Sequence, residues 1–477
     1  MAYLYGERRQ GMLFPASLEE YIAADDPVRV YDAFVEQLDF TALGITIDPE
    51  QVGPPAYDPK AMLKLLVYGY SYGIRSSRKL EQAVYHNLSF IWLVGGLKPD
   101  HKTIAKFRRE NLDALQKVLR QCVRMCLNLN LIAGNTLFVD GTKIRANASL
   151  NQNLNSKQAD RLLGESDQRI AALLSECEVC DQAEAGQESL VHLQRKLSQA
   201  KSRRSKIRSA LREFKGGDQK AINLTDPDCR VLKGRQGIIA GYNMQTVVDD
   251  QNGLIVHTEV VNDANDLSQF VPQIESAHEA LGGKCRTACG DSGYANTSSL
   301  KSLEEQGIVV IVPSQEQALR HPKENPFGKE RFVYDPERDG YTCPQGHWLR
   351  YRKTDWKVRQ ITYQITKPSI CRECPHFGAC TESEQGRSIV RLVDEELKER
   401  LEARFETDSA QEIFRRRKAL VEHPFGHLKE NLGVRAFLLR GFMGVRAEAK
   451  LLAVVINLKR MISIIGVRKL MISWKTT

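Results

Sequence analysis

Three acidic residues, far apart in the sequence, have the surroundings of a metal-dependent catalytic site. Asp140 follows a β-forming run, and Gly141 after it would let the backbone leave the strand. Asp291 follows a second strand-like run that ends at Cys289, and Glu422 lies in a basic helical stretch. Carboxylate oxygens suit Mg²⁺, and two such ions can activate water and stabilise a leaving oxygen. The three acids therefore predict a two-magnesium site for phosphoryl transfer.

The bulk properties narrow the class of protein. The 477 residues are enough for about three domains. The net charge of +9 comes from 68 Lys and Arg against 59 Asp and Glu, so clustering of charge should indicate the partners better than the total. Eleven cysteines without a recognisable secretory signal favour a reducing cytoplasm and metal binding over disulfides. No stretch reads as a membrane span, so no membrane partner is expected.

The first segment, residues 1–130, is predicted to be helical. Asp58 can cap a helix that has Pro59 at its first position. Short helices with Ser caps and Arg at their starts are typical of a helix-turn-helix unit that contacts DNA phosphates and reads a groove. A small helical bundle with a solvated basic face explains the same residues equally well. The candidate DNA-contact residues of this segment are Arg75, Arg78, Lys79, Lys102, Arg108 and Arg109.

Residues 131–150 and 234–313 together predict an α/β layer. The first range contributes one strand, and the second contributes a hairpin around Asn252-Gly253, a helix that ends near Leu281, and two further strands with a helix between them. Five strands with intervening helices result. Residues 151–233, which separate the two ranges, form a polar helical insertion. Between Arg195 and Lys215 it holds nine Lys or Arg and one acid, and this arm could follow DNA phosphates, contact a partner subunit or be a solvated helix.

Residues 314–408 contain a cysteine cluster. The regular pattern of helices and strands lapses here, which indicates a small loop-rich insertion. Four thiols in two groups match a structural zinc site, with incidental reduced cysteines as the alternative. The predicted zinc ligands are Cys343, Cys371, Cys374 and Cys380, with His347 and His376 in reserve. Cys177 and Cys180 form another C-x-x-C pair, but without a partner pair they are interpreted as structural.

Residues 409–477 begin with a helix that carries the third acid. Ser409 and Glu412 have the spacing of a capping box at its start. Glu422 and Lys429 are seven residues apart, so two helical turns place them on one face, although Pro424 should kink the helix between them. A surface cluster of salt bridges would show the same spacing.

With these motifs in view, the chain resembles a bacterial insertion-sequence transposase of the DDE type. The resemblance is to the group numbered eleven eighty-two, within the IS-five-like assemblage. Residues 13–111 are similar to the DNA-binding domain of the family. Residues 139–147 resemble its first aspartate motif and residues 291–296 its second, whereas Glu422 with Lys429 resembles the glutamate signature. The cysteine-rich insertion is also similar to members of this group.

Two residues depart from the family's glutamate signature. Phe414 lies close to the position where the family has a Tyr. Arg417 matches the family's Arg only if the spacing is shifted by one residue. Arg415 and Arg417 therefore share the candidate role of contacting DNA. Lys429 would hold a phosphate near the active site, and Lys143 and Arg145 of the first motif are further DNA-contact candidates.

The resemblance implies a ribonuclease-H-like core and two-metal DNA strand transfer. Asp140, Asp291 and Glu422 would hold two Mg²⁺ or Mn²⁺ ions. Water would cut the transposon end, and the freed 3′-hydroxyl would attack target DNA without a covalent protein intermediate. The implied partners are double-stranded terminal repeats and target DNA, together with a second copy of the chain, because pairing two ends requires at least a dimer.

Three other functions remain open on the sequence. A nuclease on the same core would cut without joining strands. A silent DNA-binding derivative would bind but not cut, although the presence of all three acids counts against it. A zinc-dependent regulator would lose DNA binding on zinc removal and would be indifferent to magnesium.

Overall fold

A computed structural model describes residues 17–45, 56–182, 187–217, 219–234, 237–319 and 325–475. The first sixteen residues of the predicted N-terminal domain lie outside this part. The chain forms two compact units: the first holds the residues up to Cys285 and those from Lys418 onwards, and the second is Arg286–Arg417. Within the described ranges, no helix combines the length and the apolar character that a membrane crossing requires.

The N-terminal segment is helical, as predicted. Its described residues form α1 (Val28–Glu36), α2 (Phe40–Leu43), α3 (Pro59–Ser71), α4 (Ser77–His86), α5 (Leu88–Leu93), α6 (His101–Glu110) and α7 (Leu112–Asn128). Asp58 caps α3, because its carboxylate accepts the Lys60 N–H at 2.9 Å. Asp100 caps α6 in the same way through the N–H of Thr103. Helix α1 follows Pro27 directly and ends at Glu36.

The next stretch contains the first sheet and the helical insertion. In chain order it forms β1 (Thr136–Arg145), β2 (Asn153–Leu154), α8 (Ser156–Gln182), α9 (Gln187–Gly216), β3 (Ile222–Asn223), β4 (Arg230–Gly234), β5 (Gly237–Asp249), β6 (Ile255–Val261) and α10 (Phe270–Leu281). Helices α8 and α9 form most of the predicted helical insertion and pack against each other as a hairpin. Gly282 ends α10 in the left-handed conformation, as expected for a C-terminal glycine.

Strand β5 is the centre of the sheet in the first unit. Along one edge it pairs antiparallel with β1, from Leu137 opposite Asp249 to Arg145 opposite Gly241. Along its other edge it pairs first with β4 and then with β6, also antiparallel. Strand β4 was not predicted from the sequence. The long β5 thus aligns three other strands, and β1 is fixed by a register that extends over nearly its whole length.

The second unit contains a parallel pair of strands and an antiparallel sheet. Its elements are β7 (Thr287–Cys289), α11 (Thr297–Glu305), β8 (Val309–Ile311), β9 (Val333–Asp335), β10 (Gly340–Thr342), β11 (Trp348–Asp355), β12 (Gln360–Ile365), α12 (Pro368–Arg372), β13 (Ser388–Leu392) and α13 (Glu395–Phe405). Strands β7 and β8 are parallel. Strands β9 to β13 form an antiparallel sheet in the order β13-β12-β11-β10-β9. The expectation of a loop-rich insertion was therefore wrong, because this sheet buries a core that includes Leu349, Tyr363 and Ile389.

The C-terminal elements begin with α14 (Asp408–Gly426), whose residues from Lys418 onwards belong to the first unit. This helix starts one residue before the predicted Ser409. A π-helical segment, His427–Asn431, follows it, and then come α15 (Gly441–Ile465) and α16 (Val467–Lys475). Helix α15 is buried through its middle part and contacts α3, α7 and β6. The fold is thus mixed α/β with antiparallel and parallel strand pairs, and all five predicted strands are present.

The close pairing of β1 and β5 leads to a stability prediction. A Cβ atom added at Gly241 would lie 2.5 Å from the backbone oxygen of Ile144, which cannot move without separating the strands. We expect Gly241→Ala to lower the free energy of unfolding by about 1–3 kcal/mol, as overpacking does in a core. Chemical denaturation measures this. The matched control is Gly164→Ala in α8, where no atom lies within 4 Å and the helix should gain about 1 kcal/mol.

Candidate active site

Asp140 lies in the middle of β1 and not at its end. The strand continues through Gly141 to Arg145, so the expectation that Gly141 lets the chain leave the strand was wrong. The reason for a glycine is lack of space. A Cβ atom there would lie 2.5 Å from Nε2 of Gln245 and 3.0 Å from a carboxylate oxygen of Asp266. Gly141 therefore allows a polar cluster to pack directly against the strand.

That polar cluster is held together by Asp266. One of its carboxylate oxygens accepts hydrogen bonds from Asn243 Nδ2 at 2.7 Å and from Gln245 Nε2 at 2.6 Å. Side chains alternate along a strand, so this cluster lies on the face of β1 opposite to Asp140. The half-buried Asp140 accepts the N–H of Gly141 at 2.8 Å. Asp140 thus projects from a strand whose other face is fixed by a hydrogen-bonded network.

Lys429 lies over the same face of β1 as Asp140. Its Nζ atom is 2.5 Å from Oγ1 of Thr142, and Thr142 is two residues from Asp140 on the same side of the strand. Two parts of the chain almost 290 residues apart therefore meet within the first unit. A cation next to this carboxylate-bearing face provides positive charge where a polyanion would need it.

Glu422 is exposed in the last part of α14. Glu422 and Lys429 were predicted to lie on one face of a regular α-helix. This geometry was wrong, because the helix changes to π geometry between the two residues. The N–H of Leu432 donates to the carbonyl of His427 at 3.0 Å, which is the i to i+5 bond of a π-helix. Seven residues therefore do not correspond to two α-helical turns here. The π segment determines the direction in which Lys429 projects.

Asp291 belongs to the second unit. As predicted, it follows a strand, β7, after the single residue Gly290. Its carboxylate accepts the N–H of Gly293 at 2.9 Å and so caps a short 3-10 helix, Ser292–Tyr294. The side chain is half-buried. Among the residues that the structure describes, no three His, Cys, Asp or Glu side chains form a group that could hold a metal ion.

The end of β1 is bordered by the loop that precedes α15. The N–H of Phe437 donates to the carbonyl of Arg145 at 2.9 Å, and Arg440 Nε donates to the carbonyl of Asn147 at 2.8 Å. Arg145 and Arg440 line a polar cavity of about 520 Å³. Sequence reasoning missed Arg440, because no local signal connects a residue before α15 with the end of β1.

The basic residues of the N-terminal domain separate into two groups. Arg75 donates from Nη1 to a carboxylate oxygen of the fully buried Glu448 at 2.6 Å, and Arg108 is only 3% exposed and donates to Ser77. These two contacts give Arg75 and Arg108 structural roles, and no separate DNA contact is proposed for them. The other candidates are exposed and able to reach a ligand: Arg78, Lys79, Lys102 and Arg109.

The remaining basic candidates are distributed between the units. In the first unit, Lys143 donates to the carbonyl of Lys233 at 3.0 Å, and Arg145 is exposed. In the second unit, Arg415 is exposed, whereas Arg417 is half-buried with its guanidinium 5.3 Å from the ring centroid of Phe414. Arg415 is therefore the more available of the two arginines on α14.

The four cysteines of the second unit line one small cavity of about 30 Å³. Two sulfurs accept backbone hydrogen bonds at 3.4 Å: Cys343 from His347 N–H and Cys371 from Arg387 N–H. Burial raises the pKa of the Cys380 thiol, and Arg387 opposes that shift. His347 and His376 line the same cavity. In the first unit, Cys177 and Cys180 lie in α8, half-buried and without a disulfide.

Two segments of the chain match known families. Residues 342–462 match the family described as "Transposase DDE domain", and residues 16–110 match "Transposase domain (DUF772)". The first match contains Glu422, Lys429 and the cysteine cluster, and the second covers most of the predicted DNA-binding domain. The predicted resemblance to an insertion-sequence DDE transposase is thereby confirmed at the level of the family. Membership of the group numbered eleven eighty-two stays a prediction.

No curated protein matches the chain. Among solved structures, the chain is similar to the piggyBac transposase in its synaptic complex with hairpin DNA, with a TM-score of 0.33 and 9% identity over 94% of this chain and 79% of that chain. A similarity of this size carries no argument about function.

The structural role of Arg75 can be tested by stability. Removing one partner of a buried ion pair leaves the other charge without compensation, which costs about 3–5 kcal/mol. We therefore expect Arg75→Met to lower the free energy of unfolding by about that amount. Exposed Arg78→Met is the control and should change it by less than about 0.5 kcal/mol. Equal stability of the two variants in denaturant titrations would contradict the assignment.

Proposed function

We propose that this protein is a DNA transposase that cleaves the ends of an insertion sequence and joins the freed 3′-hydroxyl to target DNA. The observation that carries the proposal is the approach of Lys429 to the Asp140 face of β1 in a chain with two transposase-family segments. This approach brings the segment of the glutamate signature next to the strand of the first aspartate motif.

Asp140, Asp291 and Glu422 are proposed to hold two Mg²⁺ or Mn²⁺ ions. Their carboxylates are the hard oxygen donors that these ions prefer. When bound, such ions activate water and stabilise the charge that develops on the leaving oxygen. Asp140 is suited to this role because its strand is held in register by β5 and supported from behind by the Asp266 cluster. Lys429 would bind a phosphate of the cleaved strand.

The partner proposed for the exposed basic residues is double-stranded DNA, both terminal repeats and target. Arg78, Lys79, Lys102 and Arg109 would contact the terminal repeat, because they are exposed on α4 and α6, which pack together. Lys143, Arg145, Arg415 and Arg417 would contact phosphates nearer the site of cleavage. A dimer or larger assembly on DNA is proposed, since two ends must be brought together.

The catalytic proposal predicts that Asp140→Asn separates binding from cleavage. The amide keeps the shape of the side chain but removes the negative charge that a metal ion requires. We expect cleavage of DNA carrying the flanks of the reading frame to fall about 1,000-fold or more, with end binding unchanged within about twofold. A gel assay with Mg²⁺ and then EDTA measures cleavage, and fluorescence anisotropy measures binding.

The control for this experiment is Asp160→Asn, which changes an exposed acid on α8. It should cleave like the unmodified protein. Retained cutting by Asp140→Asn would contradict the assignment. Cutting without joined products would favour a nuclease, and specific binding without any cutting by the unmodified protein would favour a silent DNA-binding derivative.

A structural zinc ion is proposed for the cysteine cavity. Cys343, Cys371, Cys374 and Cys380 line this cavity and would provide four thiolates, the donor type of a structural zinc site, and the backbone N–H groups directed at two of the sulfurs would stabilise thiolates. The cavity is small enough to suit a single ion. A zinc ion there would tie the turn between β10 and β11 to α12 and the loop that follows it.

The zinc proposal predicts about one zinc ion per chain by elemental analysis, since the four thiols would make one closed site. The double variant Cys371→Ser/Cys374→Ser should lose that ion and unfold at a lower denaturant concentration. The matched control is Cys177→Ser/Cys180→Ser, a C-x-x-C pair in α8, which should keep the zinc content. Protein purified with no bound zinc, or equal zinc loss in both variants, would refute the site.

A further inference from the structure

The hairpin formed by β11 and β12 carries a concentration of charge that the proposed active site does not use. We call residues 350–359 the basic hairpin. It holds five Lys or Arg and one acid within ten residues. It also holds two aromatic residues: Tyr351, 46% exposed, and Trp356, 71% exposed. Interleaved cations and aromatic rings are typical of surfaces that bind single-stranded nucleic acid.

A β-bulge aligns the cations of the basic hairpin on one face. Strand pairing shifts between Tyr351 and Lys353, so that Arg352 is the extra residue. Arg350 lies opposite Gln364, and after the bulge Lys353 lies opposite Thr362. Without the extra residue, Lys353 would lie on the same face of the strand as Tyr351, opposite to Arg350. Arg352 donates to Gln364 and so also lies on the outer face.

The turn at the tip is fixed by its own polar residues. Asp355, the one acid, accepts the N–H groups of Lys357 at 3.0 Å and Val358 at 3.4 Å, so its carboxylate closes the turn. Arg359 has a φ of +52°, in the left-handed region that an Arg rarely adopts. Its guanidinium is held by Asp394 at 2.7 Å. The tip therefore presents Trp356 from a defined turn.

The exposed position of Trp356 is not explained by packing within the fold, because 71% of the residue's surface is accessible to solvent. The indole of Trp474 is buried at 4% exposure, and Trp348 is half-buried with the Arg338 guanidinium 4.4 Å from its ring centroid. Trp356 instead stands at the tip, beside Val358, which is 53% exposed. A large ring that costs hydration energy and gains no packing suggests a ligand with a flat apolar face.

We propose that the basic hairpin is a second DNA-binding surface that takes unpaired DNA. Trp356 stacks on an exposed base, and Arg350, Arg352 and Lys353 bind the adjoining phosphates. The proposal rests on the proposed function, because cleavage and joining create strand ends whose bases are open to stacking. The excess of cations over acids favours DNA over an apolar protein partner.

The test uses the full-length protein in EDTA, so that no cleavage occurs. A labelled oligonucleotide, single-stranded or as a duplex, is titrated by fluorescence anisotropy while tryptophan emission is followed. Trp356→Ala should weaken single-strand binding about 5- to 100-fold, as loss of base stacking does, and should affect the duplex less. Trp356→Phe should keep most of the affinity but lose most of the tryptophan quenching.

The charge component is tested by salt dependence. Arg350→Gln/Lys353→Gln should reduce the slope of log Kd against log salt concentration by about 1.4 for the single strand. The matched controls lie in the same unit outside the basic hairpin: Val333→Ala, at a residue 69% exposed, and exposed Arg400→Gln. Both controls should bind like the unmodified protein. Circular dichroism and thermal unfolding verify that every variant is folded.

The outcomes separate this proposal from the proposed function. Unmodified protein that binds no DNA overturns both. Binding and quenching that are the same in Trp356→Ala and unmodified protein overturn the basic hairpin alone. Binding that depends on Trp356, in a protein that never cleaves with Mg²⁺, supports the basic hairpin and overturns the catalytic proposal.

Discussion

The buried carboxylate of Glu448 is the interaction on which the architecture around the candidate active site depends. Glu448 lies on α15 with no exposed surface, and burial raises the pKa of its carboxyl even with Arg75 beside it. It accepts the N–H groups of Leu438 and Leu439 at 2.9 Å each, in addition to Arg75. One residue thus connects the turn before α4, the loop before α15 and the central helix. The same loop borders the end of β1.

The position of Asp140 follows from strand packing and not from a turn. A carboxylate at a strand end could rotate with its loop, whereas one in the middle of β1 is fixed by the pairing with β5. The small residues Gly141 and Gly241 make this possible, because a side chain at either position would collide with a neighbour. A catalytic group gains from such rigidity, since its geometry must be held closely for the reaction.

The sequence predicted the elements with strong local signals. The cap at Asp58, the Asn-Gly hairpin and the end of α10 at Leu281 each depend on neighbouring residues, and all are present in the structure. The sheet of β9 to β13 was missed although each of its strands pairs with the next strand in the sequence. Strands β9 and β10 have only three residues each, and the preference for strand depends on packing against neighbouring strands and on burial, which the local sequence does not show. The π segment around Lys429 was also missed. Pro424 predicted that the helix is distorted, but a proline does not specify which geometry the distorted helix adopts.

Basic residues illustrate why residue type alone predicts a binding site poorly. Arg75 and Arg78 are three residues apart and looked equivalent in the sequence, yet one neutralises a buried acid and the other is exposed. An arginine can contact DNA only if its guanidinium is neither buried nor held by a buried carboxylate. This condition removes Arg75 and Arg108 from the N-terminal surface. The arginines on the outer face of β11 meet this condition. There the extra residue Arg352 places Lys353 on the same exposed face as Arg350.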